Sequence, residues 1–245
     1  MTDHDTMAGV AEAAEEGRRR GVRVVAGVEL SVRAPSGSLH LLGYFPALAP
    51  PEPLSGRLAE MRAARERRAS RIVARLAELG APVDEGDVRA RAGGAIGRPH
   101  VADALVAAGH ARDRQDAFDR YLADGGPAWV PHEGLEPRDA IALVRDSGGA
   151  AALAHPASLR MPQRELSAYV GRLAAWGLRG IEVHRPEHTP DRRAALARLA
   201  RAAGLVATGG SDFHDPAGPL RPGDTGRPPL PASAIDDLLS DTVEP

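Results

Sequence analysis

The chain has 245 residues, and its 31 basic and 33 acidic side chains give a net charge of −2, which excludes a strongly basic nucleic-acid-binding protein. Stable DNA binding is therefore not expected. All the basic side chains are arginine and cysteine is absent, which excludes lysine and cysteine chemistry, disulfides and thiolate metal sites. No apolar run is long enough to span a membrane, and the polar N-terminus is not a signal peptide. We therefore expect a cytoplasmic location without membrane association.

Helix and strand patterns alternate over much of the chain. A helical pattern over Met7–Arg20 comes first, with Asp5 and Thr6 as a predicted N-cap. Later helices are predicted at 139–147, 162–176 and 191–203. Short β-branched runs predict strands at 22–32, 39–45, 150–154, 180–184 and 205–208. This alternation is typical of an α/β fold with a parallel sheet or a (β/α) barrel.

One stretch interrupts the alternation. A proline-rich linker, Pro50–Pro53, precedes a long arginine-rich helix predicted at 54–79. Two more helices are predicted after it, at 99–108 and 114–123. Acidic side chains interleave with the arginines of the long helix, so its periodicity favours a solvated face over a surface that guides a polyanion.

These patterns predict the domain organisation. The helical stretch forms an insertion over 54–130, within a discontinuous barrel formed by 1–53 and 131–223. The remaining 224–245 form a C-terminal tail, in which a short helix is predicted at 232–239.

Acidic and imidazole side chains recur at or just beyond the C-terminal ends of the predicted strands. In a parallel barrel those ends converge on one face, where catalytic residues collect. Imidazole and carboxylate ligands without thiolate suit Mn, Fe or Zn. Taken singly, each of these residues is more typical of a structural or surface role, and only their joint pattern favours a metal site. The candidate ligands are His4, Glu29, His40, His155, Asp212 and His214.

Six motifs occur in the order TDHDT, GVEL, HLLGY, GRPHV, AHP and GSDFH, from Thr2 to His214. In this order, with a helical insertion between HLLGY and AHP, they resemble the polymerase and histidinol phosphatase (PHP) family, and within it the TrpH-like branch. The resemblance implies a distorted (β/α)7 barrel with an inserted helical subdomain. It also implies up to three metal ions at the barrel rim, with Mn²⁺ favoured, and hydrolysis of a phosphate ester.

The resemblance further implies a role for each predicted ligand. His4 and His214 would bind one outer metal. Glu29 would bridge two metals, and His40 and His155 would complete the site of one of these.

Asp212 would bind the other bridged metal. His214 or His4 would also orient or protonate a reacting group, although metal ligands are poor free acids. The bound ions would activate water for attack on phosphorus and stabilise the charge on the transferring group.

The sequence departs from the family pattern at its start. Family members begin with a strand carrying His-x-His, followed by Ser-Asp-Gly, whereas this sequence begins at TDHDT and contains no His-x-His. We therefore expect an N-terminally truncated barrel without its first strand. Only Glu29, His40 and His155 would then keep a full ligand set, and the activity of this form would be impaired.

Four further residues are candidates for substrate binding. Arg98 and His100 lie at a predicted helix start, where a guanidinium, an imidazole and a helix N-terminus suit a phosphate. Physics alone weighs this role equally with a solvent-exposed Arg98, and the resemblance favours substrate binding. His184 and His188 follow a strand and are candidates to line the pocket, with surface hydrogen bonding slightly ahead as the alternative.

The resemblance leaves the substrate open among nucleoside monophosphates, nucleoside 3′,5′-bisphosphates and the 5′ ends of short RNA. The oligomeric state is not predicted. One alternative is metal-dependent amide hydrolysis on a barrel, which usually needs a carboxylated lysine or its own His-x-His. Another is a catalytically inactive PHP-like module that binds a nucleotide or a partner protein.

Overall fold

The computed structural model describes residues 1–49, 52–92, 94–214 and 218–240. The chain divides into two compact units, of which unit 1 is Met1–Leu54 with Leu135–Pro245 and unit 2 is Ser55–Gly134. The predicted insertion overlaps unit 2, and the predicted tail falls in unit 1. Two prolines of the predicted linker, at 50 and 51, and the end of the predicted tail, 241–245, lie outside the described residues.

Unit 1 is built on a six-stranded sheet in which the strands follow one another in chain order. The strands are β1 (Thr2–His4), β2 (Ala26–Val32), β3 (Leu39–Phe45), β4 (Ala150–Leu153), β5 (Gly180–His184) and β6 (Val206–Gly209). β1 pairs with β2 in parallel, as β4 does with β5 and β5 with β6, whereas β3 runs antiparallel to both of its neighbours. The predicted α/β fold is confirmed. The expectation of a parallel sheet is wrong at β3, and the described residues form six strands.

The helices complete the α/β pattern, and most bounds lie close to those predicted. They are α1 (Val10–Arg20), α2 (Leu54–Glu78), α3 (Glu85–Ala92), α4 (Arg98–Ala107), α5 (Arg114–Ala117), α6 (Pro137–Asp146), α7 (Gln163–Ala175), α8 (Pro190–Ala202) and α9 (Ala234–Leu239). A five-residue π-helical turn, Phe118–Leu122, continues α5. Among the described residues, no helix combines the length and the apolar character that crossing a membrane would require.

The start of α1 differs from the prediction. The helix begins at Val10 with Gly9 as its N-cap, rather than after Asp5 and Thr6. Asp5 is fully buried, and its carboxylate accepts a hydrogen bond of 2.8 Å from the Ser31 backbone N–H. The acidic side chain that looked like a helix cap therefore ties the end of β1 to β2.

The core of unit 1 lies between the sheet and the helices that cover it. Every residue of β2 is buried. α6 packs on β2, β3 and β4, where Ile141 and Val144 are fully buried. Apolar burial of this kind is the main favourable contribution to folding, at about 25 cal/mol per Å². The polar side chains on β2 are consequently surrounded by packed apolar side chains.

The sheet curves so that its two edge strands approach each other. The loop after β6 brings His214 to His4 of β1, with 3.4 Å between their Nε2 atoms. β1 and β6 stand at opposite ends of the strand order and share no strand pairing among the described residues. Residues from both edges can therefore contribute to one site.

Unit 2 is helical, and its core is formed by apolar side chains from α2, α3 and α4, among them Ile72, Leu76 and Leu105. Two arginines of α2 are half-buried rather than solvated. Arg65 donates to the Ile96 carbonyl and Arg68 to the Val130 carbonyl. The interpretation of the arginine-rich helix as a wholly solvated face is therefore wrong at these two positions.

Candidate metal centre

Glu29, in the middle of β2, is the centre of the candidate site. Its side chain is 6% exposed. In the parallel β1–β2 pair Glu29 stands opposite His4, and in the antiparallel β2–β3 pair it stands opposite Leu42. His40 is two residues before Leu42 and therefore projects on the same face as Glu29. Sheet register thus brings two imidazoles to one buried carboxylate.

The first ligand group, named the inner group, comprises Glu29, His40 and His155. Glu29 Oε1 lies 2.7 Å from His40 Nδ1 and 3.1 Å from His155 Nε2, and the two imidazole nitrogens are 3.0 Å apart. His155 lies just beyond the end of β4, two residues after Leu153. His40 lies at the start of β3 rather than at a C-terminal strand end, and it reaches this rim because β3 is antiparallel.

The second ligand group, named the outer group, comprises His4, Glu29 and His214. His4 Nδ1 is 3.7 Å from Glu29 Oε2, the carboxylate oxygen that the inner group does not use. His214 is the more exposed member, with 57% of its side chain accessible. Its Nδ1 donates to the Asp212 carbonyl at 2.8 Å, so Nε2 carries the lone pair that faces His4.

Asp212 lies beside the outer group rather than within it. Its Oδ2 accepts a 3.0 Å hydrogen bond from Arg185, and its Oδ1 is 3.4 Å from His214 Nδ1. Neither ligand group found among the described residues includes Asp212. Its role as a ligand stays a prediction, and its observed contact is with a buried guanidinium.

The electrostatics of the inner group keep Glu29 ionised. Burial favours the neutral acid, but hydrogen bonds with His155 and His40 outweigh it and hold the pKa of Glu29 well below its ordinary value. Burial also disfavours the charged form of His155, yet the Glu29 carboxylate raises the pKa of His155. The group is therefore a buried anion surrounded by imidazoles, an environment that attracts a cation.

A serine orients His155. The Ser158 hydroxyl donates to the Ser38 carbonyl at 2.9 Å and accepts from His155 Nδ1 at 2.8 Å. This leaves Nε2 of His155 directed at Glu29. Partners that fix the second nitrogen of a histidine commonly set its tautomer in metal sites.

Three residues at this rim adopt left-handed backbone conformations that side chains normally avoid. They are Asp5 (φ 52°), His155 (φ 24°) and Asp212 (φ 53°). Such residues cost on the order of 1–3 kcal/mol each and tend to cluster at functional sites. Two of the three are predicted metal ligands, and the third anchors β1 to β2.

A cavity of about 590 Å³ opens beside the inner group. Its lining includes His40, His155, Ser158, Arg185, His188 and Arg192. Of the two histidines predicted to line the pocket, His188 does so, while its Nδ1 donates to the Val183 carbonyl at 3.0 Å. His184 is not among the lining residues, and its Nδ1 donates to the Pro228 carbonyl at 3.2 Å.

Arg98 and His100, also predicted to bind substrate, lie in unit 2 at the start of α4. Arg98 donates to the Leu122 carbonyl at 3.0 Å and to Asp124 at 2.7 Å. His100 Nδ1 accepts from the Gly97 N–H at 3.0 Å, which caps the helix. Both side chains therefore have structural contacts, and their role toward substrate stays a prediction.

Sequence reasoning did not single out three polar residues of the site: Ser158, Glu182 and Arg185. Glu182 and Arg185 are 4% and 3% exposed. The available signal was a carboxylate inside the apolar run GIEV, since charged residues are rarely buried unless they are paired. Ser158 offered no comparable signal.

Comparison with known proteins agrees with this geometry. The chain is 36% identical over 219 residues to the 5′-3′ exoribonuclease Rnm of Escherichia coli, covering 88% of this chain and 74% of that protein. It is 35% identical over 219 residues to the 3′,5′-nucleoside bisphosphate phosphatase of Chromobacterium violaceum, covering 88% of this chain and 76% of the relative. No family model matches the chain.

The fold has solved counterparts. A crystal structure from Bifidobacterium adolescentis, described as a metal-dependent phosphoesterase, superimposes with a TM-score of 0.83 at 33% identity. The alignment covers 99% of this chain and 85% of that structure.

This chain belongs to the PHP family of metal-dependent phosphoesterases. It is accordingly a phosphoric ester hydrolase, and the predicted resemblance to the PHP family is confirmed. The carboxylate and imidazoles gathered at the rim of its sheet, without thiolate, suit the divalent metals that such an enzyme uses.

Proposed function

We propose that this PHP chain hydrolyses phosphate esters of nucleotides, acting on nucleoside mono- or 3′,5′-bisphosphates or on the 5′ ends of short RNA. The observation that carries the proposal is the sharing of Glu29 by two ligand groups, one oxygen facing each. The two relatives compared above, a bisphosphate phosphatase and an exoribonuclease, give the substrate class its support. A cytoplasmic location is part of the same proposal.

The residues present fit divalent ions. In each group, one ligand atom from every member lies within 4.8 Å of the others. Neutral imidazole and ionised carboxylate, without thiolate, suit Mn²⁺, and also Fe and Zn. His40 and His155 would hold an ion with one Glu29 oxygen, and His4 and His214 would do so with the other. We propose Mn²⁺ as the working metal.

Bound ions would supply Lewis acidity that offsets the negative charge of a phosphoryl group. The chain itself supplies orientation. Ser158 fixes the His155 ring, and the Asp212 carbonyl fixes that of His214. The latter contact leaves the exposed His214 Nε2 as an acceptor that points at the rim. We propose that His214, with His4, orients the reacting water or leaving oxygen there.

Charged and polar groups around the cavity suit a nucleotide. Arg192 and His188 line it, and a guanidinium is well matched to a phosphate. Burial, reinforced by the neighbouring Arg185, Arg192 and Arg193, lowers the pKa of His188. The neutral ring donates through Nδ1 to a carbonyl, so its Nε2 is an acceptor for a substrate hydroxyl.

Unit 2 has a group of arginines of its own. Burial, followed by the nearby Arg98 and Arg65, lowers the pKa of Arg68 to about 10. Grouped guanidiniums of this kind favour phosphate oxygens. The predicted contacts of Arg98 and His100 with substrate belong to this proposal.

The deciding experiment compares three substrates on the purified chain in Mn²⁺: adenosine 3′,5′-bisphosphate, adenosine 5′-monophosphate and a 5′-phosphorylated RNA pentamer. Phosphate or nucleotide release is measured with and without EDTA. We expect Mn²⁺-dependent turnover of at least one substrate, lost in Glu29→Gln. Nucleotide binding without turnover in any metal would instead favour the inactive binding module.

A further inference from the structure

Glu182 and Arg185 form a buried ion pair beside the two ligand groups. Arg185 Nη1 donates to Glu182 Oε2 at 3.0 Å, and both side chains are at most 5% exposed. A buried pair of this kind seldom improves stability over apolar side chains of similar volume, because taking both charges out of water costs free energy. Its contacts with His155 and Asp212, next to the candidate centre, point to a role other than stability.

The carboxylate of this pair contacts both loops that carry the candidate ligands. Glu182 Oε2 accepts the backbone N–H of His155 at 2.6 Å. Its Oε1 lies against Gly210, where an added Cβ would approach it to 2.8 Å. Gly210 begins the GSDFH loop and also donates its N–H to the His184 carbonyl.

The guanidinium completes the link. Arg185 Nη2 donates to Asp212 Oδ2 at 3.0 Å and to Glu187 Oε2 at 2.8 Å. His155 and Asp212 are the two predicted ligands with left-handed backbones, and the ion pair contacts both. Each strained residue is therefore anchored by a charge-assisted hydrogen bond, which is stronger than a neutral one.

We infer that the Glu182–Arg185 pair is a positioning device that holds the His155 and GSDFH loops in the conformations that place their ligands. Neither side chain belongs to a ligand group, so both act through the residues they anchor. The inference rests on the proposed metal centre and concerns metal affinity, whatever the substrate proves to be.

The test measures Mn²⁺ binding alone to the full chain by isothermal titration calorimetry. Arg185→Lys keeps the positive charge, but one ammonium cannot reproduce the fork that reaches Glu182 and Asp212 together. We expect Mn²⁺ affinity to fall about tenfold to a hundredfold, the range seen when a partner of a metal ligand is lost. Glu182→Gln keeps the size and an acceptor for His155, and it should weaken binding in the same direction.

Glu187→Gln is the matched control. Glu187 contacts the same guanidinium, but its side chain is 53% exposed, and within the part of the chain that the structure describes it makes no hydrogen bond or ion pair with either ligand loop. We expect its Mn²⁺ affinity to stay within roughly twofold, because the Glu187 carboxylate is largely exposed to water.

Thermal unfolding in EDTA separates positioning from stability. If Arg185→Lys and Glu182→Gln unfold at lower temperature but bind Mn²⁺ with unchanged affinity when folded, the pair is structural only and the inference is overturned. Should Arg185→Lys fail to fold, the affinity of Glu182→Gln decides the question alone. If the wild-type chain binds Mn²⁺ but hydrolyses no nucleotide, the proposed function is contradicted and this inference still stands.

Discussion

The inner and outer ligand groups share Glu29 but are built differently. The inner group is enclosed, with His40 and His155 side chains 24% and 15% exposed and within 3.1 Å of the carboxylate. The outer group is open, with His4 3.7 Å from the carboxylate and His214 more than half exposed. One group is therefore set by the sheet and a hydrogen-bonded serine, whereas the other depends on a surface loop. We expect tight metal binding in the first and weaker, exchangeable binding in the second.

Removing the shared carboxylate should have the largest effect. Glu29→Gln takes the anion from both groups, and Mn²⁺ binding measured by calorimetry should disappear from both. Turnover of a nucleotide phosphate should fall by about 10³-fold, since Lewis-acid assistance contributes several kcal/mol. Retention of one full-affinity Mn²⁺ would mean that the groups do not depend on the same side chain.

Changes that remove one group at a time should separate them. His155→Ala should weaken the tighter Mn²⁺ site by more than about a hundredfold, beyond the loss of an outer-shell partner. His214→Ala should spare the tighter site and remove the weaker one. Calorimetric titrations of both variants read this out, and the opposite pattern would reverse the assignment of tight and weak sites.

A smaller effect is expected at the serine that orients His155. Ser158→Ala removes the acceptor of His155 Nδ1 without touching a ligand atom. The tighter Mn²⁺ site should weaken about tenfold, with the weaker site unchanged. Ser167→Ala, on α7, is the matched control, since among the described residues the hydroxyl of this half-buried serine forms hydrogen bonds within its own helix. Equal affinities in the two variants would contradict a role for Ser158.

The smallest effect is expected at Arg98, a residue of unit 2. Arg98→Ala should leave both Mn²⁺ affinities unchanged and raise KM for a nucleotide phosphate about tenfold, the consequence of one lost charge-assisted hydrogen bond. Steady-state kinetics and a parallel Mn²⁺ titration test this. Unaltered KM would leave Arg98 with only its structural contacts to Leu122 and Asp124.

Much of the fold could be predicted because apolar periodicity and glycine stops are local signals. The bounds of β3 and β5 follow directly from them. β1 was not predicted, because its three residues are too short to show a period. The direction of β3 could not be read either, since strand pairing depends on contacts that a local pattern does not contain.

The candidate site, like the fold, could be predicted from the sequence only in part. Residue type and motif order predict every member of both ligand groups. What the sequence could not supply was which oxygen faces which histidine, or that Asp212 contacts Arg185. Such contacts depend on loop conformations, including left-handed backbones at His155 and Asp212, that no local pattern encodes.

The antiparallel direction of β3 has a consequence for the order in which the centre assembles during folding. β2 and β3 are joined by a short connection, so Glu29 and His40 can meet as soon as that hairpin closes. His155 is 126 residues from Glu29. It can join only after the intervening chain, which includes unit 2, has closed into a loop. Contacts between distant residues form slowly because a long loop must first close. We therefore expect the carboxylate and its first imidazole to be in place in early folding species, and the complete inner group to be a late, native-state feature.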